Sequence, residues 1–79
     1  MNIIVDCNIY NTKKLLLDYF KSLLDEMYSS NYDALIDALL FIDQKTNINI
    51  LNIDQFNDKN NLIEILNIIS NNENISIQY

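Results

Sequence analysis

The chain of 79 residues contains neither glycine nor proline. Glycine adopts positive φ at least cost, so a turn that needs a left-handed residue must here use asparagine, aspartate or another side chain that tolerates it. Asparagine occurs 14 times, interspersed with apolar residues in the periodic manner of a packed domain. The glycine-rich loops that cradle phosphates in nucleotide-binding proteins are excluded.

Charge and cysteine content exclude further classes. Eleven acidic residues against five lysines give a net charge of −6, the wrong sign for direct nucleic-acid binding. One cysteine and no histidine leave no zinc site, histidine-based triad or internal disulfide, and we interpret Cys7 as a small, partly buried thiol. No apolar run approaches the ~18 residues of a membrane span, and Asp6 interrupts the apolar start that a signal peptide would need. We expect a cytoplasmic protein without cofactor or metal.

Three segments have the composition of β-strands. The β-branched run Asn2–Asp6 is typical of a strand buried on both faces. Thr46–Ile53 alternates apolar residues with asparagine, and Asn74–Tyr79 places Ile75 and Ile77 on one face. These segments predict one strand at each end of the chain and one in the middle.

Helical spacing predicts one helix after an N-cap at Thr12, a second from about Asn31 to Ile42 and a third over Lys59–Ser70, with residues 25–30 as a connection. Apolar residues recur at i, i+3 and i+4 in each helix and should face the core. They are Leu15, Leu16, Tyr19, Phe20, Leu23 and Leu24 in the first helix, Tyr32, Leu35, Ile36, Leu39 and Ile42 in the second, and Leu62, Ile65, Leu66 and Ile69 in the third.

The resulting order is β-α-α-β-α-β. Helical crossovers between successive strands imply parallel pairing with right-handed connections. No linker, repeat or change of composition marks a boundary within the sequence. We therefore predict a single α/β domain over residues 1–79, with helices packed on a three-stranded parallel sheet.

The second predicted helix carries the one candidate site. Asp33 and Asp37 are four residues apart and project from one face, on a stripe that also includes Ser30, Ala34 and Phe41. No lysine lies three or four residues from Asp37. The stripe is either an ordinary solvated acidic face or a carboxylate patch for a cationic partner. A catalytic acid–base pair would need a cleft, which a convex helix face does not supply.

This helix and the segment before it resemble the signature of the barstar family, the intracellular inhibitors of bacterial ribonucleases. Residues 26–39 read EMYSSNYDALIDAL, and the family segment reads Glu-Tyr-Tyr-Gly-x-Asn-Leu-Asp-Ala-Leu-x-Asp-x-Leu. The predicted element order is also similar to the barstar fold, so the resemblance extends over the chain. The positions that match in register are Glu26, Tyr28, Asn31, Asp33, Ala34, Leu35, Asp37 and Leu39.

The resemblance implies a function as well as a fold. It implies an inhibitor or immunity protein, not an enzyme, that occludes the active site of a cationic bacterial ribonuclease toxin, as in a toxin–antitoxin pair. It also implies no direct contact with nucleic acid or membrane and a monomer when free. The net charge of −6 would speed encounter with a basic enzyme. The alternative is a non-inhibitory interaction domain that docks on a basic partner surface.

The resemblance also assigns residues to the partner-binding site. Asp37 matches the residue that occupies the place of a substrate phosphate, and Asp33 matches one that pairs with a further basic group. Tyr28 and Asn31 fall at contact or loop-shaping positions, and the surround comprises Met27, Ala34 and Phe41.

Three positions depart from the family pattern. Met27 replaces the first tyrosine, and Ser29 replaces the glycine. The acidic contact of the last helix falls near Asn67, where this chain has no carboxylate. The partner is therefore open between a barnase-like ribonuclease and another toxin.

Overall fold

The computed structural model describes residues 1–24 and 31–79, so the predicted connection at 25–30 lies outside the described residues. Within the described ranges, three strands form one parallel sheet in the order β1-β2-β3. The predicted α/β architecture and its β-α-α-β-α-β order are confirmed. The elements are β1 Asn2–Asp6, α1 Lys13–Leu24, α2 Tyr32–Leu40, β2 Thr46–Leu51, a 3-10 helix Ile53–Gln55, α3 Lys59–Ile69 and β3 Ile75–Gln78.

The sheet buries one face only. Ile3 and Val5 of β1 lie in the core, whereas Ile4 between them is 54% exposed on the opposite face. The prediction that β1 is buried on both faces is therefore wrong. The physical reason is the strand order, because two successive crossovers of the same hand place all the helices on one side of the sheet.

Helix α1 begins at the predicted cap, since the Thr12 hydroxyl accepts a hydrogen bond from the Leu15 N–H at 3.3 Å. Its buried side chains are Leu16, Leu17 and Phe20. The predicted inward face is partly wrong, because Leu15 and Leu23 are exposed and Leu17 takes the inward position. Three consecutive leucines are compatible with more than one helical face, so the pattern did not fix the rotation of the helix.

The inward faces of α2 and α3 are confirmed. Leu35 and Leu39 of α2 are buried, and the side chains predicted inward on α3 are all buried. Tyr32 and Ile36 are partly buried against the same core, as is Ile42, although α2 ends at Leu40, two residues before the predicted end. Asp58 caps the start of α3 by accepting a hydrogen bond from the Asn61 N–H at 3.3 Å.

Asparagine supplies the left-handed residue, as the absence of glycine predicts. Asn52 has φ 57° and ψ 45°. It follows Leu51 and turns the chain out of the sheet, which is why β2 ends two residues before the predicted Ile53. The Asn52 amide also donates to the Asp6 carboxylate at 3.0 Å. This bond, together with a second from the Asn8 N–H, holds the pKa of Asp6 below its usual value.

Candidate protein-binding site

Asn31, where the sequence places the beginning of the second helix, is the N-cap of α2. Asn31 is extended, with φ −139° and ψ 160°, and its side-chain oxygen accepts a hydrogen bond from the Ala34 N–H at 2.8 Å. Such a bond satisfies one of the backbone donors that the first turn of a helix leaves unpaired. Asn31 therefore sets where the acidic stripe begins.

The two carboxylates of the stripe are exposed on the side of α2 that faces away from the core. Asp33 and Asp37 each precede a buried leucine, Leu35 and Leu39, by two residues, which is about 200° of helical rotation. Asp33 lies in the first turn, where the helix dipole favours a negative charge. Asp37 lies in the middle of the helix and has no such support.

No described lysine neutralises the stripe. The ion pairs found within residues 1–24 and 31–79 join Lys14 to Asp18 and Lys59 to Asp54. Neither includes a carboxylate of α2. The carboxylates of the acidic stripe therefore have no lysine partner among the described residues and can form charge-assisted hydrogen bonds to a cationic partner.

An exposed aromatic ring extends the stripe. Phe41 is the C-cap residue of α2 and its side chain is 84% exposed, the highest value among the large apolar residues of the described chain. Its N–H donates to the carbonyl of Asp37 at 3.3 Å, so the ring follows one turn after that carboxylate. Burying a phenyl side chain contributes roughly 1.5–3 kcal/mol of favourable free energy, and this ring can gain it on contact with a partner surface.

The end of α2 is held by Asn72, a residue that the sequence does not link to this helix. The Asn72 amide nitrogen lies 3.1, 3.2 and 2.9 Å from the carbonyl oxygens of Leu39, Leu40 and Ile42. The Asn72 side-chain oxygen in turn accepts from the Asn74 N–H at 3.0 Å. The last turn of a helix leaves carbonyls unpaired, and no glycine follows α2 to supply a Schellman cap. The asparagine cluster at 71–74 was visible in the sequence, but nothing there indicated which helix it caps.

The first turn of α2 is also anchored, through its contact with α1. The Lys13 ammonium lies 5.0 Å from the centroid of the Tyr32 ring, within the range of a cation–π interaction. Burial, and to a lesser degree the negative charge of Asp58, raises the pKa of the Tyr32 hydroxyl. The tyrosine therefore stays neutral and packs as an apolar group with a polar tip.

The structure thus brings together on one helix the predicted contact residues that it describes, namely Asn31, Asp33, Ala34, Asp37 and Phe41. Ala34 is half-buried and small, so it leaves room between the carboxylates. The predicted contacts Met27 and Tyr28, and the stripe residue Ser30, lie outside the described residues.

The described part of the chain holds neither a metal-binding cluster nor an accessible thiol. Among residues 1–24 and 31–79, no group of three or more cysteine, aspartate or glutamate side chains is placed to hold a metal ion. Cys7 is a free thiol with no exposed surface, so it is buried more completely than predicted. Burial, and then the nearby Asp6 charge, raises the pKa of the Cys7 thiol and disfavours the reactive thiolate.

Comparison with known proteins adds no family assignment: no family model matches the chain, and a search of curated proteins found no match. The resemblance to the barstar family therefore depends on the segment at 26–39 and on the order of the elements. None of the helices that the structure describes has the length and apolar character required to cross a membrane.

Proposed function

We propose that the chain is a barstar-type immunity protein that binds a cationic bacterial ribonuclease toxin and occludes its active site. The observation that carries the proposal is the exposed pair of carboxylates, Asp33 and Asp37, on one side of a helix that is capped at both ends. A ribonuclease active site is built to hold phosphates and is therefore positively charged. Two carboxylates on a rigid helix imitate that ligand.

Asp37 is the central contact in this proposal. It takes the place of a substrate phosphate among the basic side chains of the enzyme, and Asp33 pairs with a further basic group one turn away. Because α2 is already ordered in the free chain, little conformational entropy is lost when it docks. Phe41 and Ala34 add an apolar contact and a close approach beside the charges.

The charge of the whole chain assists the same encounter. A net charge of −6 attracts a basic enzyme over distances longer than any contact, and salt screens this attraction. We therefore expect the association rate to fall with ionic strength more steeply than the dissociation rate rises.

The test is inhibition of RNA cleavage by a barnase-like ribonuclease, with the purified chain titrated into the enzyme. We expect stoichiometric inhibition, and we expect Asp37→Asn to weaken it by roughly 30- to 4,000-fold, corresponding to the ~2–5 kcal/mol lost when one partner of a buried charge pair is removed. Asn is nearly isosteric with Asp, so the helix is preserved. Glu64→Gln on α3 is the matched control, because it removes one exposed carboxylate and should change inhibition little.

Equal weakening by Asp37→Asn and Glu64→Gln, or by Asp18→Ala on α1, would mean that only net charge matters. Tight binding to basic proteins without nuclease activity, and no protection of RNA, would instead favour the interaction domain that docks on a basic surface. The first result would reject the central role of Asp37, and the second would reject the inhibitor proposal for that enzyme.

A further inference from the structure

The two outer strands of the sheet differ in how their free edges are covered. In β1, the Met1 carbonyl accepts from β2 and the Cys7 N–H donates to it. Because backbone groups alternate in direction along a parallel strand, those of Ile4 and Asp6 point away from β2, toward the free edge. An unpaired edge of this kind is a template for another strand.

The edge of β1 is covered by its own chain. The Tyr19 hydroxyl donates to the Ile4 carbonyl at 2.6 Å, and the Asp6 carbonyl accepts from the N–H groups of Ile9 and Tyr10, each at 2.9 Å. The Tyr19 ring is stacked on that of Tyr10, with centroids 4.1 Å apart. The outward carbonyls of Ile4 and Asp6 are therefore occupied, and aromatic side chains lie beside this part of the strand.

The edge of β3 has no such cover. The Asn74 carbonyl accepts from the Thr46 N–H of β2, so by the same alternation the backbone groups of Ile75 and Ile77 point outward. The Ile75 N–H donates to the Asn72 carbonyl at 3.0 Å. For Ile77, at the centre of this edge, neither the N–H nor the carbonyl has a hydrogen-bond partner in the described part of the chain.

The uncovered edge also carries no charged side chain. Residues 74–79 contain no Asp, Glu, Lys or Arg, although the chain as a whole carries a net charge of −6. Exposed edges are commonly protected by a lysine, a proline or a bulge. Residues 74–79 contain neither lysine nor proline. The segment is a place where two negatively charged copies can approach without direct charge repulsion.

We propose that β3 is a dimerisation edge, which pairs antiparallel with β3 of a second copy about a two-fold axis at Ile77. In an antiparallel pair, opposed residues can exchange both of their N–H···O bonds. Ile77 presents both groups outward, so Ile77 opposed to itself matches each donor with an acceptor. The contact is isologous and closes after two chains. The proposal is independent of the proposed function and replaces the monomer expected from the sequence.

The side chains are compatible with this register. Ile77 meets its own copy on the helix-bearing face of the sheet. On the open face, Ser76 lies opposite Gln78 of the second copy, and both residues are exposed. No like charges are opposed. A strand from an unrelated protein would have no comparable reason to centre on Ile77, which is why we commit to a second copy of this chain.

Sedimentation equilibrium of the full chain tests the proposal over micromolar to millimolar concentration. The wild-type mass should rise from the chain mass of 9.3 kDa to twice that value. Ser76→Lys/Gln78→Lys places lysines opposite each other and should hold the mass at that of one chain. The matched control is Asn2→Lys/Ile4→Lys, which adds the same charge on the open face of β1 and should associate like the wild type.

A charge-exchange experiment fixes the register. The Ser76→Glu/Gln78→Glu chain should also be monomeric alone, but an equimolar mixture with the lysine variant should form a heterodimer, because each lysine then faces a glutamate. A wild type that stays at 9.3 kDa throughout overturns the proposal. So does a mixture that remains monomeric, or dissociation caused by the β1 variant alone. Circular dichroism spectra and urea midpoints equal to those of the wild type, measured at the low concentration where the wild type is a monomer, verify that each variant is folded.

Discussion

Replacing Asn72 by aspartate tests how the end of α2 is held. The substitution preserves the shape of the side chain and keeps an oxygen that can accept from the Asn74 N–H. It removes the amide protons, which lie close to the carbonyls of Leu39, Leu40 and Ile42. It also places a negative charge against three carbonyl oxygens.

The loss can be estimated from these contacts. The amide carries two protons, so it can satisfy at most two of the three carbonyls at once. Each intramolecular hydrogen bond contributes about 0.5–1.5 kcal/mol net, which gives about 1–3 kcal/mol for the two donated bonds. Repulsion between the carboxylate and the carbonyls increases the expected loss to about 2–4 kcal/mol at neutral pH. That is a large part of the ~5–15 kcal/mol that stabilises a typical domain.

The free energy of unfolding of Asn72→Asp, measured by urea titration at pH 7 and pH 4, is the readout. When the introduced aspartic acid is protonated, its hydroxyl can again donate to a carbonyl, so the pKa of this acid is raised in the folded state. The stability that the protonated acid contributes is therefore present at low pH and lost as pH rises. The deficit relative to the wild type should therefore shrink at pH 4.

The matched control is Asn71→Asp, the same change at the exposed neighbouring residue, which should lose less than ~0.5 kcal/mol. Equal losses at Asn71 and Asn72, or a deficit at Asn72 that is independent of pH, would refute the role assigned to the Asn72 amide.

Two further predictions concern the β1 region. Tyr19→Phe removes the bond to the Ile4 carbonyl but keeps the stack on Tyr10, so urea unfolding should show a loss of about 0.5–1.5 kcal/mol. Since burial, and then Tyr10, raises the pKa of Tyr19, its contribution to stability is complete below the ordinary pKa of ~10 and is lost as pH rises through the folded value. Tyr19→Phe should remove this part of the alkaline loss of stability and leave the part due to Tyr32, whose pKa is also raised. Cys7 should react with a thiol reagent only in denaturant, and a native rate equal to that of an exposed cysteine would contradict its burial.

The buried face of a helix or strand could be predicted only where the spacing of its apolar residues is compatible with a single face. The inward face of α3 could be predicted because Leu62, Ile65, Leu66 and Ile69 follow i, i+3 and i+4 spacing, although Ile68 is also apolar and lies exposed. The same spacing identifies Leu35 and Leu39 in α2. Leu15, Leu16 and Leu17 are consecutive, so the sequence does not determine which of these leucines faces the core. In β1, Ile3, Ile4 and Val5 are all apolar, and only the handedness of the crossovers decides that Ile4 faces solvent.

In the candidate site as well, residues with local spacing could be predicted and contacts between distant residues could not. Asp33, Asp37 and Phe41 could be placed on one side of a helix because their spacing is local. The contact of Asn72 with Leu39 spans 33 positions, and no local rule predicts it. The roles assigned to Met27 and Tyr28 stay predictions.

Asparagine performs the backbone tasks that glycine and other capping residues share in most chains. Asn52 adopts the left-handed turn, Asn31 accepts at the start of α2, and Asn72 donates at its end. An amide can do all three because it has both donors and an acceptor and tolerates positive φ. Helix α2 has nine residues, too few to be stable alone in water. The fixed spacing of its carboxylates is therefore a property of the folded domain, maintained by residues far along the chain, and not of the acidic segment itself.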